Sequence, residues 1–158
     1  MIPQPDPPLR SGELVLRPWR VDDAPALIAA WADDEIHRWA AVPPVRDLAY
    51  AERWIAGWED RRELGLSLDL AVERHGRVAG EIGLFDWRPP EGTIEIGWWT
   101  AAADRGHGVA SAAARLVVEW ASATMGVAVH ATCDPANPAS LAVARAAGAI
   151  VVSGDAPT

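Results

Sequence analysis

With one cysteine in 158 residues, the chain cannot form an internal disulfide. That fits a reducing compartment and removes small disulfide-stapled scaffolds from consideration. Basic side chains are also scarce: 14 Lys and Arg stand against 22 Asp and Glu, a formal net charge of −8. Non-specific grip on nucleic acid or anionic lipid is thereby disfavoured, and cationic small molecules are attracted. No stretch approaches the roughly 20 apolar residues that span a bilayer. Residues 1–11 carry several prolines but no apolar run of the kind a signal peptide needs. A soluble, cytoplasmic protein without a nucleic-acid or membrane partner is expected. His37, His75, His107 and His130 are dispersed, with no HExxH or Cys/His spacing, so no metal site is expected.

What is present suits one domain with one core. Half of the residues are hydrophobic, and a chain of this size buries about two thirds of its unfolded surface. Residues 1–11 read as a flexible leader and residues 12–158 as a single domain. Residues 14–19 predict a strand, and DDAPALIAAWADD a helix with Pro25 in its first turn. Residues 36–44 predict a loop, and a second helix starts at Asp47, with Trp54 and Trp58 one turn apart. LSLDLAVE and RVAGEIGLFDW read as a hairpin, followed by TIEIGWW with Ile94, Ile96 and Trp98 opposite Glu95, Gly97 and Trp99. The period then changes. Val109, Ala113, Leu116, Val117 and Trp120 form the apolar stripe of an amphipathic helix. A strand, VAVHATC, a helix, LAVARAAG, ended by Gly148, and a short strand, AIVVS, complete an α/β (α+β layered) pattern.

At the change of period stands DRGHGVAS, two glycines one residue apart before a long helix. Glycine costs helix stability, roughly 0.5–1 kcal/mol relative to alanine, so bare backbone must serve something here. Such a turn exposes unpaired N–H groups at the positive end of the helix field and can receive phosphate. The glycines alone leave a structural turn and a phosphate cradle both open. The P-loop pattern lacks its Lys–Ser/Thr pair, and the dinucleotide fingerprint GxGxxG fails at Ser111.

EIGWWTAAADRGHGVASAAARLVVEWA resembles the central acetyl-CoA segment of the GCN5-related N-acetyltransferases (GNAT), and DPANPASLAVARAAG the motif that follows it. LVLRPWRVDDAPALIAAW resembles the first strand and helix of the ribosomal-protein N-terminal alanine acetyltransferase subgroup. The resemblance implies a mixed, mostly antiparallel sheet flanked by helices and splayed at the acetyl-CoA site. It implies acetyl transfer to a primary amine, a protein N-terminus or a small amine, with acetyl-CoA as cosubstrate, and the acidic composition favours a cationic acceptor. Arg105, Gly106, His107, Gly108, Val109 and Ala110 match the family's pyrophosphate loop at every required position. Pantetheine is then expected along Trp98, Trp99 and Thr100.

Amide formation needs a proton acceptor, and Glu95 matches the family's frequent acid on the preceding strand. A structural carboxylate bonded across the sheet is the plain reading. Glu81 is a second candidate, bordering the acceptor. By resemblance Asn137 contacts coenzyme, and Ser140 binds it or protonates the departing thiolate; both equally suit a helix cap. Trp31 and Trp39 are candidate acceptor contacts, and Cys133 reads as a core thiol. Ala149 replaces a large aromatic, and the family's last strand is expected to be missing. The open edge invites a homodimer, and a non-catalytic acyl-CoA binding or sensing protein is the alternative reading.

Overall fold

Runs with period two form seven strands that lie in the sheet in chain order. The computed structural model describes residues 1–154; the last four residues of the expected domain lie outside them. β1 (Leu9–Ser11), β2 (Leu14–Pro18), β3 (Ser67–Arg74), β4 (Arg77–Arg88) and β5 (Thr93–Thr100) pair antiparallel. β6 (Ala128–Cys133) joins β5 in parallel, and β7 (Ile150–Ser153) joins β6 in the same sense. This is the mixed, mostly antiparallel sheet that the sequence predicts.

Register separates the two faces. Leu68, Leu84 and Ile96 align across β3–β5, as do Leu70, Ile82 and Trp98, giving one apolar face. The opposite face carries Ala71–Glu81–Trp99, Asp69–Gly83–Gly97 and Ser67–Phe85–Glu95. α5 (Val109–Met125) buries Val109, Ala113, Ala114, Val117, Val118 and Ala121 and packs against β4 and β5. α6 (Pro138–Ala147) lies beside it. Across the sheet, α1 (Ala24–Trp31) packs on α3 (Leu48–Ala56), and α4 (Trp58–Glu63) packs on β3.

Three expectations change. The predicted loop over residues 36–44 begins as a helix, α2 (Asp34–Trp39), because the Asp33 carboxylate caps it by accepting from Ile36 N at 2.9 Å. The helix from Asp47 breaks at Gly57 into α3 and α4. The leader is held rather than free: Ile2 is fully buried, its N–H donates to the Arg62 carbonyl, and Arg62 Nη1 donates to its carbonyl. Leu9–Ser11 adds an edge strand. Finally, the short strand expected from AIVVS is present and gives the sheet a seventh strand, so the sheet is not cut short before it. Gly148, at φ +79°, turns the chain out of α6, and the β-branched run IVVS hydrogen-bonds to β6 as a seventh strand. The sheet stays open there, with Ile150 and Val152 exposed at its edge.

The turn into α5 is anchored by Asp104, which is completely buried. Its carboxylate accepts from Arg77 (2.6 and 2.9 Å) and Arg74 (3.1 Å). Burial pushes this carboxyl up, but the hydrogen bonds from Arg77 and Arg74 outweigh it and hold it below its ordinary value. A depressed folded-state pKa stabilises the fold above the ordinary carboxylate range and withdraws that support as pH falls through the folded value. Urea melts between pH 6 and pH 3 are expected to show stability falling with acid. Asp104→Asn is expected to flatten that slope by up to about 1.4 kcal/mol per pH unit.

Candidate functional site

The glycine turn opens a groove. Gly106 and Gly108 stand at φ +77° and +72°, and a Cβ built on either meets nothing within 4 Å. Both therefore face open space in a conformation that L side chains avoid. Gly108 is the N-cap residue of α5, so the first free amides of a 17-residue helix border this space. The groove, about 380 Å³, runs from this turn along Trp98, Trp99 and Thr100 to Asn137 and Ser140. Its depth has a topological cause. β5 and β6 pair only from Thr93–Ala128 to Glu95–His130, although both strands run further. Beyond Glu95 they part, leaving the expected splay.

Arg105, the cation lining the groove, bonds Asp33 Oδ1 at 2.6 Å and ties the turn to the start of α2. That guanidinium holds the Asp33 carboxyl below its ordinary value. The His107 side chain bonds the Arg105 carbonyl at its exposed side, and it is the His107 backbone that belongs to the turn. Val109 is buried in the core, and Ala110 lines the groove. Asn137 is the N-cap of α6, accepting from Ser140 N at 3.1 Å, while facing the groove. Ser140 lines the groove and also the cavity behind it.

That second space, about 530 Å³, shares Ile36, Trp39, Ala40, Trp98, Trp99 and Ser140 with the groove, so the two are contiguous. It reaches the polar face of the sheet. Glu81 and Glu95 both line it, with the Gly83–Gly97 pair between them. Glu95 lies 3.7 Å from His130 Nε2, its register partner on β6. Glu81 Oε1 accepts from Trp99 Nε1 at 3.2 Å; its Oε2 is buried without a hydrogen-bond partner. Burial first, and the charge of Asp69 second, push the Glu81 carboxyl up to about 8. Trp31 forms a wall with Tyr50 and Trp54, ring centroids 5.8 and 6.3 Å away and interplanar angles of 66° and 89°. Trp39 lines both spaces and donates to Glu35.

Sequence reasoning overlooked Asp69, Tyr50, Trp54, Gly83, Gly97 and Phe85 as cavity residues. Asp69 alternates with Leu68 and Leu70, which places it on the polar face, but only β3–β4 register reveals its partner row. Cys133, read as a core thiol, is buried yet lines the cavity, and burial pushes its thiol up. Among the described residues, no group of three or more His, Cys, Asp or Glu is placed to hold a metal ion. Among them, too, no helix is long and apolar enough to cross a membrane.

A sheet that splays between two parallel strands, beside a glycine turn heading a long helix, defines an acyltransferase-type fold. Residues 13–150 match the acetyltransferase (GNAT) domain model, and the chain belongs to that family. Solved structures with this architecture include Mycobacterium smegmatis RimJ in complex with CoA-disulfide. It has 23% identity and a TM-score of 0.74, with 84% of this chain and 68% of that one covered. The microcin C7 self-immunity acetyltransferase MccE, solved with acetyl-CoA and AMP, shares 19% identity at TM-score 0.77, covering 87% and 79%. The ribosomal L7/L12 alpha-N-protein acetyltransferase RimL, in complex with coenzyme A, shares 20% at 0.77, covering 87% and 80%. At such identities the likeness speaks for the fold. No protein of curated function matches the sequence.

Proposed function

We propose that the chain is an acetyl-CoA-dependent N-acetyltransferase acting on a primary amine by direct transfer. The observation that carries this is the continuous path from the glycine turn, through the splay, to a carboxylate-bearing cavity. The unfilled space over Gly106 and Gly108 suits a pyrophosphate, which the amides of residues 106–110 would hold. Trp98, Trp99 and Thr100 would flank the pantetheine, and Asn137 its far side. RimJ, RimL and MccE, with their coenzyme-bound structures, support the cosubstrate. RimJ and RimL also favour the ribosomal-acetyltransferase subgroup.

Acetyl-CoA supplies an activated acyl carbon. Glu95, at the foot of the splay, takes a proton from the amine as the N–C bond forms and the C–S bond breaks. The Ser140 hydroxyl donates a hydrogen bond to the departing thiolate, and the proton taken from the amine by Glu95 passes on through solvent, which balances the protonation of the thiolate. Trp31, Trp39 and Glu81 border the acceptor. Incubation with acetyl-CoA and a panel of amines, followed by thiol detection of free CoA, tests the reading. Coenzyme binding with no turnover of any amine would overturn it in favour of acyl-CoA sensing.

Arg105→Ala is expected to be mild. Its ion pair with Asp33 is partly exposed, worth about 0.2–1 kcal/mol, and the main-chain amides remain. Acetyl-CoA affinity should fall less than about tenfold by titration calorimetry.

A further inference from the structure

A primary amine ordinarily titrates near about 10, and a peptide N-terminus near about 8. The acceptor therefore arrives protonated at pH 7, and a proton must leave the cavity before the nitrogen can attack. The sheet row that holds Glu95 shows a way out. Phe85 of β4 flanks Glu95 on one side and His130 of β6 on the other. Phe85 offers only hydrocarbon, whereas His130 Nε2 stands 3.7 Å from Glu95 Oε2. Glu95 lines the cavity and His130 lines neither the cavity nor the groove, so the carboxylate stands between the acceptor space and the imidazole. Both side chains are half-buried. Beyond His130 the row ends at Ile150 of β7, exposed on the open edge of the sheet.

From this arrangement we infer that His130 carries protons from Glu95 to solvent and so resets the carboxylate for each cycle. The inference rests on the acetyltransferase reading and adds a positioning residue to it, since His130 touches no reacting atom and acts through Glu95. The steps balance. Glu95 takes a proton from the bound ammonium and leaves a neutral amine. Nε2 of the neutral imidazole takes that proton from the carboxyl, and the imidazolium gives one proton to water. The proton lost from nitrogen as the N–C bond forms leaves by the same route, and solvent replaces it on the thiolate. One proton is released per ammonium acetylated, and carboxylate and imidazole end as they began.

The pair is suited to transfer rather than to bracing the sheet. At 3.7 Å the two groups stand just beyond hydrogen-bond reach, so a small rotation or one bridging water joins them. A glutamic acid ordinarily titrates near about 4.3 and a histidine near about 6.5, which makes the hand-over downhill and lets the ring exchange with water near neutrality. Few other charges bear on the pair. Arg88 and the Cys133 thiol sense Glu95, Glu91 acts on Arg88, and Arg145 of α6 acts on Cys133. Ile150 brings no charge from β7. From Phe85 to Ile150 the row holds one base beside the carboxylate, and it is His130.

The test measures acetylation of spermidine, butylamine and a seryl hexapeptide by the unaltered protein, His130→Gln and His130→Ala, with circular dichroism and acetyl-CoA titration as controls. His130→Gln keeps the side chain's bulk, and His130→Ala opens room for a small base. Both are expected to keep the fold and the coenzyme affinity and to lose kcat by about tenfold or more, with KM little changed. The unaltered protein's kcat should fall below about pH 6.5, where a protonated imidazole can accept nothing, and His130→Gln should lack that limb. Imidazole added to His130→Ala should restore kcat in proportion to its free base. 1,2,4-Triazole, of the same shape but a much weaker base, should restore none. In a Glu95→Gln background His130→Ala should cost nothing further, because the relay acts only through that carboxylate. Unchanged kcat in the folded variants, equal rescue by imidazole and triazole, or a full loss added to that of Glu95→Gln would overturn the relay and leave the acetyltransferase reading standing. Acetyl-CoA binding by the unaltered protein with none of the three amines acetylated would overturn both.

Discussion

Glu95→Gln is expected to lower kcat by about 10²–10⁴-fold, the range a positioned general base contributes, with acetyl-CoA affinity unchanged. The reason is positional. Glu95 closes the paired part of β5 and β6, so its side chain stands where the strands begin to separate, in the wall of the cavity that adjoins the groove. Glutamine keeps the shape and an acceptor oxygen but cannot take the amine's proton. The same change removes the charge facing His130, so circular dichroism and thermal melting must accompany the kinetics. An intact fold, normal coenzyme titration and collapsed kcat would identify a group acting in the chemical step. Unchanged kcat in the folded variant would move proton acceptance away from Glu95, and Glu81 would be the next residue to substitute.

The second large effect concerns Gly108. Gly108→Ala places a methyl in the open space of the groove and forces a left-handed alanine at φ +72°. Two costs are mixed there, and the molecule supplies its own control. Gly126 ends α5 at φ +66°, also with nothing within 4 Å of a built Cβ, but it lines neither the groove nor the cavity. Both alanine variants should lose similar stability from strain, about 1 kcal/mol. Only Gly108→Ala should lose acetyl-CoA affinity. Disturbing charge-assisted phosphate bonds is worth about 1.5–3 kcal/mol, or roughly 10–150-fold in Kd. Equal coenzyme affinity in the two variants would remove the phosphate cradle from residues 105–110.

Much of this site was legible from local pattern. The two glycines, the helix behind them and the Glu95/Gly97 alternation are readable because each depends on neighbours within a few residues. Backbone freedom, a 3.6-residue apolar stripe and a two-residue strand period are all properties of contiguous chain. The cap at Asn137 is equally local, since its partner is Ser140. What stayed hidden was everything set by register. Asp69, Gly83 and Gly97 become one row only when β3, β4 and β5 align, and no window of sequence contains all three strands. The same holds for the buried Asp104, whose partners Arg74 and Arg77 sit 30 and 27 residues away.

The apolar periods of strand and helix, the glycine turn at the head of α5 and the excess of acid over base follow from the order and kind of residues alone, because covalent sequence sets local propensity and total charge. The splay of β5 from β6, the anchoring of Ile2 by Arg62 and the register that sets Gly83 against Gly97 between Glu81 and Glu95 were decided by tertiary structure. Each requires segments far apart in the chain to find one another. Only then do burial and the nearby Asp69 charge push the Glu81 carboxyl up to about 8, since desolvation belongs to the assembled cavity and not to the residue.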